Sequence, residues 1–365
     1  MSLKSAALAA ASVLALTAAA QAQDPIIRNT QPAAASAGPS YWTPQRMQAA
    51  KPRDLPVVSG ADHRVPAAGV PPAPGTPGAA GGTGDAVLTP QLLDELTNGT
   101  PTPADGAFPG PNTTFERTPS AAGTQSFGRY LTFPWQTVGR LFFTEPGVGD
   151  FECSATATYG GAALNIIWTA GHCVADGGHS QFFTNWLFCP AYKQGVDPIG
   201  CWTWAFATTT SQWFASGAFT KDYAVIGLAH TGTIFAGDVV TAVGGLGFAW
   251  NWSRDQNWVH FGYPAQGPCA DGLQCVTLTE HRYDDVPDAL GPPTNSFGSA
   301  QTPGSSGSAL LLSFSGNGGF INSNVSYYYS SGPHGNESGK ELQGPYYDTN
   351  ACNFWKGNTG WAGSC

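Results

Sequence analysis

Apolar positions follow three regimes along this chain. The first, Ala6–Ala20, is a single small-residue apolar block. The second runs from about residue 23 to 120 and has no sustained period. Its stretch VPAAGVPPAPGTPGAAGGTGD (Val65–Asp85) is Pro/Ala/Gly low complexity, with too little apolar area to pack a core. One helical island interrupts it, TPQLLDELTNG, with Thr89 as cap, Pro90 in the first turn and Asn98-Gly99 as the stop. The third begins near Phe133. Short apolar runs, punctuated by Gly, Pro, Asn and Asp, predict strands: TVGRLFF from Thr137, ALNIIWTA from Ala163, YAVIGLA from Tyr223, NWVHFGYP from Asn257, CVTLTE from Cys275 and SALLLSF from Ser308. Eleven of the twelve tryptophans lie in this third part, between Trp135 and Trp361. Many short strands separated by turn signals predict an all-β sandwich or barrel. No internal repeat and no long amphipathic helix is evident.

Composition sharpens this picture. Of 365 residues only 11% are charged, while Gly (47) and Pro (29) are abundant, which favours a loop-rich β fold. A net charge of -9 argues against a nucleic-acid partner, which needs a basic face, and against adhesion to anionic lipid. Lys4, the Ala6–Ala20 block and Ala20-Gln21-Ala22 read as a secretory signal peptide over residues 1–22. The block is too short and too weakly apolar to span a bilayer, so a secreted, soluble monomer is expected. Export changes the meaning of the eight cysteines: Cys153, Cys173, Cys189, Cys201, Cys269, Cys275, Cys352 and Cys365. An even count in an oxidising compartment points to disulfides. No CxxC pair supports zinc, and no motif implies a metal or an organic cofactor.

Three short motifs carry candidate chemistry. WTAGHCV (Trp168–Val174) puts His172 at a strand end beside Cys173. Taken alone, such a histidine is more often structural. TKDYAVIGL (Thr220–Leu228) puts Asp222 at the start of a buried run, where a carboxylate can accept from a neutral imidazole; a turn-forming Asp is the plainer reading. QTPGSSGSALLL (Gln301–Leu312) puts Ser306 between glycines ahead of an apolar strand, which a flexible linker would not explain. A serine hydroxyl becomes nucleophilic only if a base takes its proton. His172 can serve as that base, with Asp222 fixing its tautomer. The Gly304 and Ser306 amides can hold a developing oxyanion.

Together, in the order His, Asp, Ser, these motifs resemble the chymotrypsin/trypsin-like serine proteases: TAGHC, DYAVI and PGSSGSAL match the family's three catalytic motifs. TVGRLFF, FGYP and GSSGS look closer to the bacterial branch that includes the glutamyl endopeptidases. The resemblance covers roughly residues 135–365. It implies two six-stranded antiparallel β-barrels with the active site in the cleft between them, protein or peptide substrates, and a Cys153–Cys173 disulfide bracing the histidine loop. The implied layout is a signal peptide (1–22), a pro-segment or linker (23–120) and a protease domain (133–365). The remaining cysteines are expected to pair with near neighbours, Cys189–Cys201, Cys269–Cys275 and Cys352–Cys365, although six cysteines allow many connectivities. Ser305 stands where the animal digestive branch has an Asp, so that activation switch is not expected. Ala300 stands where trypsin-like members place an Asp, which argues against Lys/Arg specificity. Val325 replaces the histidine of glutamyl-specific members, Ser326 offers a backbone contact to substrate, and Tyr328 stands where a Gly opens the pocket. A narrow, apolar pocket is expected. Two other classes compete: a protease fold that only binds, and an α/β-hydrolase esterase, whose triad order and alternating helices this chain lacks.

Overall fold

Residues Val138–Glu145 (β1) and Gly149–Ala157 (β2) pair antiparallel from Val138↔Thr156 to Glu145↔Gly149 and start a barrel. Its other strands are Ile166–Thr169 (β3), Thr184–Pro190 (β4), Trp202–Thr210 (β5) and Ala224–Leu228 (β6). The order β1-β2-β3-β6-β5-β4 returns to β1, so six antiparallel strands close on themselves. Closure removes free sheet edges and leaves one face to fill a core, here Leu141, Phe143, Ala155, Ile167, Phe188 and Ile226, each fully buried. The computed structural model describes residues 24–31, 41–59, 75–83 and 129–365, except 255, 267–268, 270–271, 316–317 and 331–340. The signal segment 1–22 and the expected helix at Thr89–Gly99 lie outside the described residues.

A second barrel is built from Asn257–Gly262 (β7), Cys275–Asp285 (β8), Thr294–Gly298 (β9), Ala309–Ser315 (β10), Gly318–Asn324 (β11) and Glu341–Gly344 (β12). These strands pair antiparallel in the order β12-β9-β8-β7-β10-β11. Between β11 and β12 the ladder gives way to local bonds: the Ser326 N–H donates to Gln343 O and the Gln343 N–H to Tyr327 O, both 2.9 Å. From that opening the Ser326 hydroxyl reaches Asp222, ahead of β6 of the first barrel. The chymotrypsin-like two-barrel architecture expected from the motifs is thus present.

Two features go beyond the expectation. The C-terminal segment forms a helix, Thr349–Thr359, capped by Asp348, whose carboxylate accepts from the Ala351 N–H at 3.0 Å, and ended by a left-handed Gly360. It buries Phe354 and Trp355 against the inter-barrel core, and Cys352–Cys365 ties its tail. The low-complexity region also packs in pieces. Ile26–Thr30 adds to β5, Trp42 and Met47 enter the inter-barrel core, and Gly78–Thr83 pairs with a linker strand, Gly245–Trp250. All four expected cysteine pairs are joined, with Cα separations of 4.3–6.3 Å.

Candidate active site

His172 leaves the end of β3 on one tight turn, Gly171–Cys173, and Cys173 is bonded to Cys153 on β2. Closing a loop of this size stabilises by about 3 kcal/mol in the chain-entropy account and holds the imidazole against the barrel end. Asp222 sits just ahead of β6, which pairs with β3, so the two motifs meet by register. The carboxylate grips the histidine twice: Oδ1 accepts the His172 backbone N–H at 2.8 Å, and Oδ2 lies 2.7 Å from Nδ1. Ser326 Oγ donates to the same Oδ2 at 2.5 Å. With this fully buried carboxylate oxygen facing it, the ring proton lies on Nδ1, which leaves Nε2 to accept. Nε2 is buried and has no hydrogen-bond partner among the described residues.

A buried relay holds Asp222 from behind. Trp168 Nε1 donates to the Tyr347 hydroxyl at 2.6 Å, Tyr347 donates to Asn324 Oδ1 at 2.5 Å, and Asn324 Nδ2 donates to Asp222 O at 3.1 Å. Neither Tyr347 nor Ser154 stood out in the sequence. They sit on polar or mixed segments whose partners come from the other barrel.

Ser306 lies in the β9–β10 loop, which is bent by Gly304 (φ 97°) and Gly307 (φ 77°). A methyl group on Gly307 would stand 2.1 Å from Thr169 Oγ1, so only glycine lets the serine loop touch the end of β3. Ser154 on β2 binds this loop at two points: its N–H donates to Ser306 O at 2.8 Å and its Oγ to Gly304 O at 2.9 Å. The loop is therefore fixed to both barrels. At Ser306 itself, Oγ donates to the backbone carbonyl of Arg53 at 3.4 Å, and the Gly304 N–H donates to that same oxygen at 3.3 Å.

The four expected pocket residues divide. Val325 is buried, with its N–H on Ser308 O and its carbonyl accepting from Gly307 N–H. It shares an apolar cluster with Leu55, Trp258, Phe297, Leu310 and Leu342, against which the half-buried Tyr328 packs. Ser326 turns its hydroxyl to Asp222. Ala300, 8% exposed, belongs to none of these contacts. Cys153, His172 and Cys173 bring donor atoms close together, but both sulfurs are spent in the disulfide, which leaves no thiolate for a metal.

His260, on β7, supports the loop from below: Nε2 lies 2.6 Å from Ser308 Oγ, and Ser299 Oγ lies 3.4 Å from Nδ1. Complete burial pushes its pKa down from 6.5 to about 3. The fold holds this imidazole neutral, whereas the unfolded chain protonates it below about pH 6.5. Its contribution is therefore intact above that pH and lost as pH falls toward 3, by about 1.4 kcal/mol per unit from this group alone. Urea midpoints measured from pH 7 to 4 should fall more steeply in the wild type than in His260→Gln. Parallel slopes would exclude His260 as the cause.

No family model matches the chain, and no curated protein matches it. Solved structures do. A thermostable serine protease, AL20, from an extremophilic microorganism is 30% identical, over 62% of this chain and 97% of its own, with a TM-score of 0.52. The protease Anisep from Arthrobacter nicotinovorans is 28% identical, over 62% and 96%, with a TM-score of 0.51. A Glu endopeptidase also matches, at 17% identity, over 62% and 92%, with a TM-score of 0.45.

Proposed function

We infer the function from one premise: the chain belongs to the chymotrypsin-like serine protease family. On that premise the protein is an exported serine endopeptidase, made as a precursor, that hydrolyses peptide bonds through an acyl-enzyme. Ser306 Oγ attacks the substrate carbonyl carbon while its proton passes to His172 Nε2. The carbonyl π electrons move onto oxygen, and the Gly304 and Ser306 N–H groups donate hydrogen bonds to that oxyanion. As the intermediate collapses, His172 hands the proton to the departing amine. Water then repeats the sequence on the ester, releasing the acid and restoring Ser306. The Asp222 carboxylate orients the ring and stabilises its cation.

One observation carries this reading. The Arg53 carbonyl oxygen lies at the Ser306 hydroxyl and accepts from the Gly304 N–H, one of the two amides assigned to the oxyanion, so this site already binds a peptide carbonyl. Export is supported by the N-terminal signal pattern and by four disulfides. Among the described residues no helix is long and apolar enough to cross a membrane.

The test is a fluorophosphonate probe on the processed protein, followed by peptide mapping. The adduct is expected on Ser306. A folded, processed protein that stays unlabelled beside a labelled control protease would leave a binding protein as the answer.

A further inference from the structure

Residues 51–58 lie along the cleft. Lys51–Pro52 pairs with Phe151–Glu152 on β2, and the Arg53 N–H donates to Glu152 O at 2.8 Å. The chain then crosses Ser306, where the Arg53 carbonyl takes the two bonds described above. Leu55, 2% exposed, enters the apolar cluster of Val325, Phe297, Leu342, Trp258 and Leu310. Beyond it the Tyr328 N–H donates to Pro56 O and the Ser330 N–H to Val58 O, both 3.2 Å. The Arg53 guanidinium pairs with Glu145 and lies over the rings of Phe151 and Phe183, at 5.3 and 5.1 Å.

The polarity of this segment decides its role. In a productive substrate one residue fills the pocket and presents its own carbonyl to the nucleophile. Here Leu55 fills the pocket, but the carbonyl at Ser306 belongs to Arg53, two residues earlier. Both ladders are parallel: Lys51↔Phe151 on one side, Tyr328↔Val57 and Tyr329↔Val58 on the other. The residues beside Val325–Tyr328 thus follow the presented carbonyl, where those of an acyl group must precede it. If the segment turned to the opposite polarity with Leu55 still in the pocket, it would present the Leu55–Pro56 bond, a tertiary amide whose ring crowds the nitrogen that must leave.

We propose that residues 51–58 are a built-in inhibitor, bound in the cleft in reverse polarity so that it blocks Ser306 and is not cut. This rests on the protease reading above and adds to it how the precursor is kept silent. It accounts for the Ser306 hydroxyl bonding Arg53 O while His172 Nε2 has no partner among the described residues. The strand-addition bonds hold the segment's backbone, and Leu55 anchors it in the pocket.

Full-length wild type, Leu55→Asp and Arg53→Ala chains should be compared for the rate of fluorophosphonate labelling, with near-ultraviolet circular dichroism reporting the fold. A carboxylate cannot occupy the apolar cluster, so Leu55→Asp should label at least about tenfold faster than wild type. Arg53→Ala removes only a partly exposed anchor and should label about threefold faster. It keeps the question answerable if Leu55→Asp fails to fold. A synthetic peptide of residues 50–59 should slow the Leu55→Asp chain and be recovered uncut. Equal labelling of wild type and both folded variants would overturn the inhibitor while leaving the protease intact. Cleavage of the peptide at Arg53–Asp54 would overturn the reversed polarity. No labelling of any folded chain, even after the segment is removed by limited proteolysis, would overturn the protease reading and the inhibitor with it.

Discussion

Ser306→Ala is expected to abolish peptide hydrolysis, lowering kcat by about 10⁶ against the processed wild type. The methyl group removes the oxygen that forms the ester and the proton that His172 takes. The fold should tolerate the change, because the loop is held by backbone bonds: Ser154 N–H to Ser306 O, and Ser308 N–H to Ser305 O. Among the described residues, the side-chain bond lost is the long one to Arg53 O. A peptide-library digest by both proteins, followed by mass spectrometry, measures the loss and reads the pocket preference of the wild type. A folded Ser306→Ala protein that still cuts at the wild-type sites and rate would remove Ser306 from the mechanism.

Asp222→Asn should lower kcat by about 10⁴ with little change in KM. The carboxylate now accepts from three donors, the His172 N–H, His172 Nδ1–H and Ser326 O–H. Asparagine brings two donor hydrogens of its own. If its amide nitrogen takes the place of Oδ2, His172 must move its proton to Nε2 and can no longer accept from Ser306. If it takes the place of Oδ1, two N–H donors face each other at His172. Either arrangement also costs about 1–3 kcal/mol of stability, since the site is fully buried. Steady-state kinetics with a urea midpoint on the same samples separate the two effects. Unchanged kcat in a folded Asp222→Asn protein would show that the carboxylate does not direct the imidazole.

Much of the barrel architecture was legible along the chain, though only where strands are apolar. β1, β3, β6, β7, β8 and β10 correspond to the apolar runs. Two of the strands without such runs are polar or glycine-rich yet largely buried: Thr294–Gly298 reads TNSFG and Gly318–Asn324 reads GGFINSN. Several of their polar side chains find partners inside the protein, as when Asn322 Oδ1 accepts from Gln256 and Trp258. A polar residue with an internal partner looks the same in sequence as one facing water. The C-terminal helix was hidden for a related reason. Its polar and aromatic residues carry only a weak period, and it is held by the Asp348 cap, burial of Trp355 and a disulfide.

Local chemistry alone determined the three motif residues, the small-residue turns that expose them, the even cysteine count and the strand-rich fold class, because each is written in a few adjacent side chains. Tertiary structure alone decided what surrounds those residues. Asp222 depends on Ser326, Asn324 and Tyr347, all more than a hundred positions away. Arg53, from a stretch that composition marks as spacer, reaches a serine more than two hundred and fifty residues later. Hydrogen bonds and buried contacts form between whichever groups the fold brings within a few ångströms, and separation along the chain leaves no trace of that proximity. The direction in which Lys51–Val58 crosses the cleft is likewise invisible in its letters, since a strand can pair either way until both of its neighbours are in place.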